Sequence, residues 1–408
     1  MQPYRPSAKH IPELNGLRVL LVFIVSWYHI WQQSWWTPHI GSYSLDFLVR
    51  AGYVPVDGTI LLSGFLLFLP HARAMLLGEP TPDLRSFYQK RIMRIVPSYV
   101  FVTLLMLFAV AIPYDLSYGN SASLWKDVLM HLTFTQTFDF ATYIATPIGV
   151  ASWTVAIEMQ AYLILPLLAK WARRNPLGTF STMAAAALLF RSFVVWGMKD
   201  YNMVVNQLIN FLDVYAIGMA ASILYVKLTT LYPEDRRRFI WQGTATLAIV
   251  LAILGLEELL RNQAGSNGQA AIQAGQMTRR PLFASLLALL TLALPFAFRP
   301  IRFIAGNKLM GFLSMISMNY YLMHQNIAVH LKRIGFPPSV NDLPNMAPGG
   351  PEKPWVYQYT FLCFGLSVLT AIAITFLIEK PGAWALRKGF QRLNEKQDQW
   401  VEKRRQAG

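Results

Sequence analysis

The chain has 408 residues, of which 54% are hydrophobic and only 14% are charged. A soluble protein carries about 25% charged residues to cover its surface, so this composition excludes an ordinary soluble domain. The formal net charge is +15, which we assign to lysines and arginines in cytoplasmic loops rather than to nucleic-acid binding. The single cysteine, Cys363, lies in an apolar run and excludes an intrachain disulfide framework.

The apolar residues are collected in runs of about 20 residues, the length that a helix needs to cross a bilayer. The fold class predicted from them is an all-α polytopic membrane protein with about ten transmembrane helices. We expect a membrane domain over residues 1–385 and a basic cytoplasmic tail over 386–408. The predicted spans, in chain order, are 14–36, 53–72, 96–114, 150–171, 178–197, 204–226, 239–258, 280–298, 309–331 and 355–378.

Positively charged residues predict the orientation, because cytoplasmic loops carry an excess of lysine and arginine. With the N-terminus inside, roughly 25 of the 36 lysines and arginines fall in cytoplasmic segments. We therefore predict that both termini are cytoplasmic and that the protein lies in the cell membrane. The outside segment 332–353 is rich in proline and glycine and is predicted to be irregular. The basic segment 379–408 is predicted to form a surface helix.

Seven ionisable residues fall within the predicted spans, where they are costly to bury and therefore mark candidate functional sites. Counting 1.5 Å per residue from the span ends puts six of them roughly 6–14 Å below the outer surface. Arg18 is the exception and lies near the inner face. We therefore predict one hydrated cavity shared by the other six, which are His29, Asp57, Glu158, Arg191, Asp213 and His324.

Two spacings suggest how a ligand would be held. Arg18 and His29 are eleven residues apart, which places them on the same side of the first helix and roughly 16 Å apart along its axis. A cytosolic anion bound at Arg18 would thus extend a flexible arm toward His29. Arg91 and Arg94 form an i,i+3 pair at the cytosolic start of the third span, a spacing that suits a phosphate-bearing ligand.

Six segments, in order, resemble the acyltransferase 3 family of integral membrane acyltransferases. The first carries the family's arginine and, after ten intervening residues, its histidine, here Arg18 and His29. The resemblance covers about residues 10–385, with Thr59-Ile60 replacing an aromatic pair and Ala161 replacing a phenylalanine. The segments are IPELNGLRVLLVFIVSWYH (11–29), VDGTILLSGFLL (56–67), YQKRIMRIVPSY (88–99), SWTVAIEMQAYLILPLL (152–168), SMISMNYYLMH (314–324) and IEKP (378–381).

The resemblance implies an acyl-CoA-dependent O-acyltransferase that moves an acetyl or another short acyl group to a hydroxyl. The acceptor would be a sugar, a glycan, a lipid-linked sugar or a small molecule. His29 is the expected general base, and Asp57 or Glu158 the carboxylate that orients it. No metal, permanently bound cofactor or nucleic acid is expected. The acyl-CoA would bind Arg18, Arg91 and Arg94, and the surrounding residues would be Ser63, Trp153, Tyr162, Arg191 and His324.

Each candidate also has a structural explanation. His29 would pack by hydrogen bonding to a neighbouring helix, Ser63 would be a small residue at a helix bend, and Arg191 would form a buried pair with an acid. Arg91 and Arg94 would simply be cytoplasmic positive charge.

Two other function classes stay open. A transporter would use the charged layer as a substrate or proton path, but the sequence has no inverted repeat. A transferase with a lipid-linked donor would need an acidic outside loop, and loop 115–149 offers only Asp115, Asp127 and Asp139. The acceptor, the acyl chain length, the side of acceptor binding and the oligomeric state are not determined by the sequence.

Overall fold

The computed structural model describes residues 7, 9–116, 121–338 and 354–407, and these are almost entirely helical. One two-residue hairpin, β1 (His39–Ile40) with β2 (Tyr43–Ser44), pairs antiparallel. The helices are α1 (Glu13–Ser34), α2 (Asp46–Arg50), α3 (Val56–Leu77), α4 (Leu84–Met106), α5 (Ser121–Leu132), α6 (Phe140–Tyr143), α7 (Trp153–Arg174), α8 (Pro176–Gly197), α9 (Leu212–Leu231), α10 (Arg237–Ala264), α11 (Gln269–Ala293), α12 (Arg299–Gly306), α13 (Lys308–Arg333), α14 (Pro354–Ile374) and α15 (Lys380–Ala407). Shorter turns are the 3₁₀ segments Gln136–Phe138, Val150–Ser152, Leu208–Phe211 and Leu294–Phe296 and the π-helical segments Leu107–Ala111 and Thr375–Glu379.

The predicted all-α polytopic membrane fold is confirmed. In the described part of the chain, nine helices are long and apolar enough to cross a membrane, and they match nine of the ten predicted spans. The remaining span, 309–331, does form a long helix, α13, but it is not among those nine. Polar residues interrupt its apolar run, and four of them are buried against other helices: Ser314, Ser317, Asn319 and His324.

The third span begins earlier than predicted. Its helix, α4, starts at Leu84 rather than at residue 96, and Asp83 caps it by accepting a hydrogen bond from the Ser86 amide at 2.7 Å. Such a cap satisfies one of the amides that the first turn of a helix leaves unpaired. As a consequence, Arg91 and Arg94 lie inside a continuous helix and not at its start.

The helices α3 and α9 pack so closely that their points of contact leave no room for a side chain. The α3 helix packs mainly against α9, and glycines permit the contact: a Cβ on Gly64 would lie 2.8 Å from the Tyr215 carbonyl oxygen, and one on Gly218 closer still to that of Leu61. Small residues allow such close backbone approach between membrane helices. The α1 helix packs against α13, and α13 against α14, so the face of α1 that carries the candidate residues is bordered by α13.

The predicted outer loop 115–149 contains two helices, α5 and α6, and folds back onto the membrane helices. Gln136 in this loop donates a hydrogen bond to the Tyr99 hydroxyl of α4 at 2.8 Å. Most of segment 332–353, predicted to be irregular, lies outside the described residues. The basic C-terminal segment forms the helix α15, in agreement with the predicted surface helix.

Candidate active site

A cavity of about 220 Å³ lies between α1, α3, α4, α7 and α13. It is polar on the sides formed by α1, α4 and α7, and it is lined there by residues that the sequence singled out. The fold thus brings together side chains that are far apart in the sequence, such as Arg18 and Tyr162. The predicted site residues that line it are Arg18, Ser63, Arg91, Arg94, Glu158 and Tyr162.

Arg94 is held in place by a buried carboxylate. It forms an ion pair with Glu379 and donates a second hydrogen bond to the Met315 carbonyl oxygen at 3.0 Å. Glu379 also accepts a hydrogen bond from Asn319 at 2.7 Å, and Asn319 donates to Thr375 at the same distance. Thr375 and Glu379 bound a π-helical turn, which directs both side chains at Asn319. The charge of Arg94 is therefore largely balanced.

The other two arginines lack such a balance. Arg18 donates to the Ser314 hydroxyl at 3.5 Å, and Arg91 lies over the Tyr162 ring at 6.0 Å. Within the described ranges neither forms an ion pair, and Arg91 Nε is buried without a hydrogen-bond partner. Glu158 is the only carboxylate among the described residues that line the cavity. The cavity therefore has excess positive charge and an unused donor, which suits a phosphate-bearing anion.

Glu158 faces this cavity, and its carboxylate is not aimed at His29. Its Oε2 accepts a hydrogen bond from the Tyr162 hydroxyl at 2.8 Å, one helical turn along α7. The prediction that Glu158 orients His29 therefore finds no support in the geometry. Its position instead places a negative charge among the three arginines and fixes the Tyr162 ring beside Arg91.

His29 is oriented by a second histidine. His324 Nδ1 lies 2.6 Å from the Tyr321 carbonyl oxygen, and His324 Nε2 lies 2.8 Å from His29 Nδ1. A carbonyl oxygen can only accept, so His324 Nδ1 carries the proton and a neutral His324 offers Nε2 as an acceptor. His29 Nδ1 must then donate, which leaves His29 Nε2 without a proton. This hydrogen-bond chain prepares Nε2 to accept a proton, as the third member of a catalytic triad does for its histidine.

Tyr321 connects the histidine pair to the cavity. Its side chain lines the cavity, while its carbonyl oxygen receives the His324 hydrogen bond. His29 itself is not among the described residues that line the cavity. The arginine-lined cavity and the histidine pair thus both border α1, with Arg18 and His29 separated by the roughly 16 Å of helix rise between them.

Asp57 is not brought to His29. Its Oδ2 accepts from Arg280 Nε at 2.9 Å, both side chains are fully buried, and Arg280 also lies over the Phe211 ring at 4.0 Å and donates to the Val205 carbonyl oxygen. Sequence reasoning missed this pair because it placed Arg280 at the end of a span. In the structure α11 begins at Gln269 and ends at Ala293, which puts Arg280 close to the middle of the membrane helix and not at its end.

Arg191 and Asp213 form a second buried ion pair between α8 and α9, as the structural explanation of these residues required. Because of this pair and the Asp57–Arg280 pair, the prediction that six ionisable groups share one cavity is wrong. Burial of a charge is strongly unfavourable unless it is paired. Asp57, Arg191 and Asp213, the three predicted residues in these two pairs, therefore neutralise partners and do not line a shared cavity. Trp153 also lies aside from the cavity and stacks on Phe211, with ring centroids 6.1 Å apart.

The acidic residues of the outer loop have structural partners. Asp139 pairs with Lys126 at 2.6 Å and caps α6, and Asp127 contacts His131 and accepts from Thr146 at 2.7 Å. No group of three or more His, Cys, Asp or Glu residues that could hold a metal occurs in the described ranges.

Comparison with known proteins agrees with the resemblance seen in the motifs. The chain is similar to a peptidoglycan O-acetyltransferase, OatA, of Listeria monocytogenes serovar 1/2a, 26% identical over 42% of this chain and 26% of that protein. It is also similar to acyltransferase MdmB of Streptomyces mycarofaciens, 25% identical over 42% of each chain. O-acetyltransferase OatA of Staphylococcus aureus is 24% identical over 45% of this chain and 29% of its own length.

These matches span about a quarter to two fifths of the relatives' own length. No solved structure matches the chain. The profile of the acyltransferase 3 family, an acyltransferase domain, matches residues 11–378 and so covers nearly all of the helices described above. The chain therefore belongs to the acyltransferase 3 family.

Proposed function

We propose that the protein is a membrane O-acyltransferase that moves an acyl group from acyl-CoA to a hydroxyl of a glycan or a small molecule. The observation that carries the proposal is the chain from the Tyr321 carbonyl through His324 to His29. It leaves His29 Nε2 as a proton acceptor on the same face of α1 as an arginine without an ion-pair partner.

The donor end of the reaction is assigned to the cavity. The phosphates of CoA would contact Arg18 and Arg91, whose guanidinium groups lack ion-pair partners in the described ranges. Arg94 is largely balanced by Glu379 and would contribute at most one further hydrogen bond. The flexible arm of CoA would then run along α1 and bring the thioester to the histidine pair.

In the proposed acyl transfer, His29 acts first as general base and then as general acid. The acceptor hydroxyl attacks the thioester carbonyl carbon while His29 Nε2 takes its proton. The new C–O bond forms, the C–S bond breaks, and the imidazolium returns the proton to the departing CoA thiolate. His324 stabilises the transient positive charge by accepting from His29 Nδ1, and Tyr321 holds His324 in the required tautomer.

The similar proteins indicate which acceptor to test first. The names of the two OatA relatives report O-acetylation, and one of them names peptidoglycan as its target. A glycan hydroxyl is therefore the first acceptor to test. We also propose the cell membrane as the location, because the spans and the charge asymmetry suit a multi-pass protein with its donor side in the cytosol.

The test compares two histidine variants in the purified protein. His29→Gln keeps a hydrogen-bonding side chain but removes the basic nitrogen, so we expect transfer to fall by about 10²–10⁴-fold while CoA binding, measured by calorimetry, is unchanged. His39→Gln, at an exposed position of β1, is the matched control and should transfer normally. Near-normal turnover by His29→Gln would refute the proposal.

A further inference from the structure

An apolar cavity of about 140 Å³ lies beside the arginine-lined cavity, between α1, α13 and α14. We call it the side pocket. No charged residue is among the described residues that line it, and its polar members are Ser317 and Tyr320. Its apolar walls include Val19, Val22, Phe23, Ile316, Phe364 and Val368.

The side pocket adjoins the proposed path of the donor. Val22 and Ser317 line both the side pocket and the arginine-lined cavity, so the two spaces share a wall on α1 and on α13. Val22 lies one turn beyond Arg18 along α1, toward His29. A group that passes from Arg18 to His29 along this helix would therefore pass the mouth of the side pocket.

The outer end of the side pocket is next to the histidine pair. The hydroxyls of Tyr320 and Ser26 are hydrogen bonded at 2.8 Å, which satisfies the polar end of the tyrosine. The Tyr320 ring lies parallel to the His324 ring, with centroids 6.1 Å apart and planes at 7°. One aromatic ring thus separates this apolar space from the group that orients His29.

The size and chemistry of the side pocket select its occupant. A cavity of about 150 Å³ lined by apolar side chains holds a molecule the size of benzene, so the side pocket suits a chain of about four to six carbons. A complete lipid tail is several times larger. Its apolar walls exclude the polar parts of CoA and of a sugar acceptor.

We propose that the side pocket holds the hydrocarbon tail of the donor's acyl group and makes the protein prefer acyl chains of about four to six carbons over acetyl. This inference rests on the proposed function, because it places the thioester between Val22 and His29. It assigns the role of chain-length selection to residues of α1, α13 and α14 that the sequence analysis did not name as candidate site residues.

The first test measures kcat/KM for acetyl-CoA, pentanoyl-CoA and decanoyl-CoA. One methylene in an apolar pocket changes kcat/KM by about 10-fold or more, so pentanoyl-CoA should exceed the other two donors by at least that factor. Val368→Phe, which fills the side pocket, should lower kcat/KM for pentanoyl-CoA about 10-fold or more relative to kcat/KM for acetyl-CoA. Leu369→Phe, at a 63% exposed position of the same helix, is the control and should change neither. Equal kcat/KM for acetyl-CoA and pentanoyl-CoA in the wild-type protein would overturn the inference.

The second test needs no turnover and uses the wild-type protein, so it is independent of how the variants fold. Azipentanoyl-CoA, a five-carbon photoreactive donor, is irradiated with the protein in nanodiscs, and labelled residues are found by mass spectrometry. Labels on Val19, Phe23 or Phe364 that pentanoyl-CoA suppresses support the inference, even if no acyl transfer is detected, in which case only the proposed function fails. Labels elsewhere, or labelling of these residues by a photoreactive phospholipid instead, would overturn it.

Discussion

Replacing His324 by phenylalanine tests whether this buried ring sets the proton-accepting state of His29. Phenylalanine keeps the ring that stacks on Tyr320 but removes both nitrogens. His29 Nδ1 then loses its acceptor, and the Tyr321 carbonyl loses its donor. Nothing would remain in the described structure to hold His29 in the tautomer that leaves Nε2 free.

The size of the effect follows from the hydrogen bond that is lost. In the proposed transition state His29 is an imidazolium, and a hydrogen bond from a charged donor contributes about 1.5–3 kcal/mol. Since 1.36 kcal/mol is a factor of ten in rate, kcat should fall by about 10-fold to 150-fold. The KM for acyl-CoA should change little, because the proposed phosphate contacts of the donor are with Arg18 and Arg91 and not with the histidines.

A purely structural role for His324 would give a different pattern. The two unpaired polar groups would still lower stability, by about 1–3 kcal/mol each, but the folded fraction would keep its kcat. His324→Gln should restore part of kcat, because its amide oxygen can accept from His29 Nδ1. His330→Phe, on the same helix but in edge-to-face contact with the Tyr114 ring, is the control. A His324→Phe protein with kcat within about threefold of wild type would refute the reasoning.

The other predictions concern the donor site, the buried pairs and the topology. The double variant Arg91→Ala and Arg94→Ala should weaken CoA binding by about 1.5–3 kcal/mol per lost phosphate contact, measured by calorimetry, and unchanged affinity would show that neither arginine contacts the donor. Asp57→Asn should lower the free energy of unfolding by about 3–5 kcal/mol, because it leaves Arg280 buried without a counter-charge. Thermal unfolding measures this loss, and a variant that is fully stable but catalytically dead would show instead that Asp57 acts in the reaction. A reporter fused after Gly408 should score as cytoplasmic, and an extracytoplasmic score would contradict the predicted orientation.

The sequence by itself determined the class of the protein and most of its helices. A helix of about 20 apolar residues is the only way for most of these segments to satisfy their backbone in a bilayer, so composition alone identifies them. Composition does not determine where these helices begin and end. The start of α4 depends on the Asp83 cap, and the start of α11 lies in a polar stretch before Arg280, where hydropathy gives no signal.

The sequence also identified six of the residues that line the cavity, through ordered motifs and through charges placed where they are costly, but it did not predict that Glu158 would share a cavity with the arginines. Arg18, Arg91 and Glu158 were all predicted and all meet there. The glutamate of the IEKP segment was quoted only as part of a motif, and its ion pair with Arg94 was not foreseen. That pairing depends on a π-helical turn, for which no local sequence rule exists.

Only the tertiary structure determined which polar groups form hydrogen bonds and ion pairs with each other. Counting residues along a helix gives the depth of a side chain in the membrane but says nothing about which neighbouring helix it faces. Asp57, Glu158 and His29 have similar predicted depths, yet Asp57 meets Arg280, Glu158 meets Tyr162 and His29 meets His324. Helix packing sets these partners, through contacts such as the glycine-mediated approach of α3 to α9, and those contacts join residues far apart in the chain.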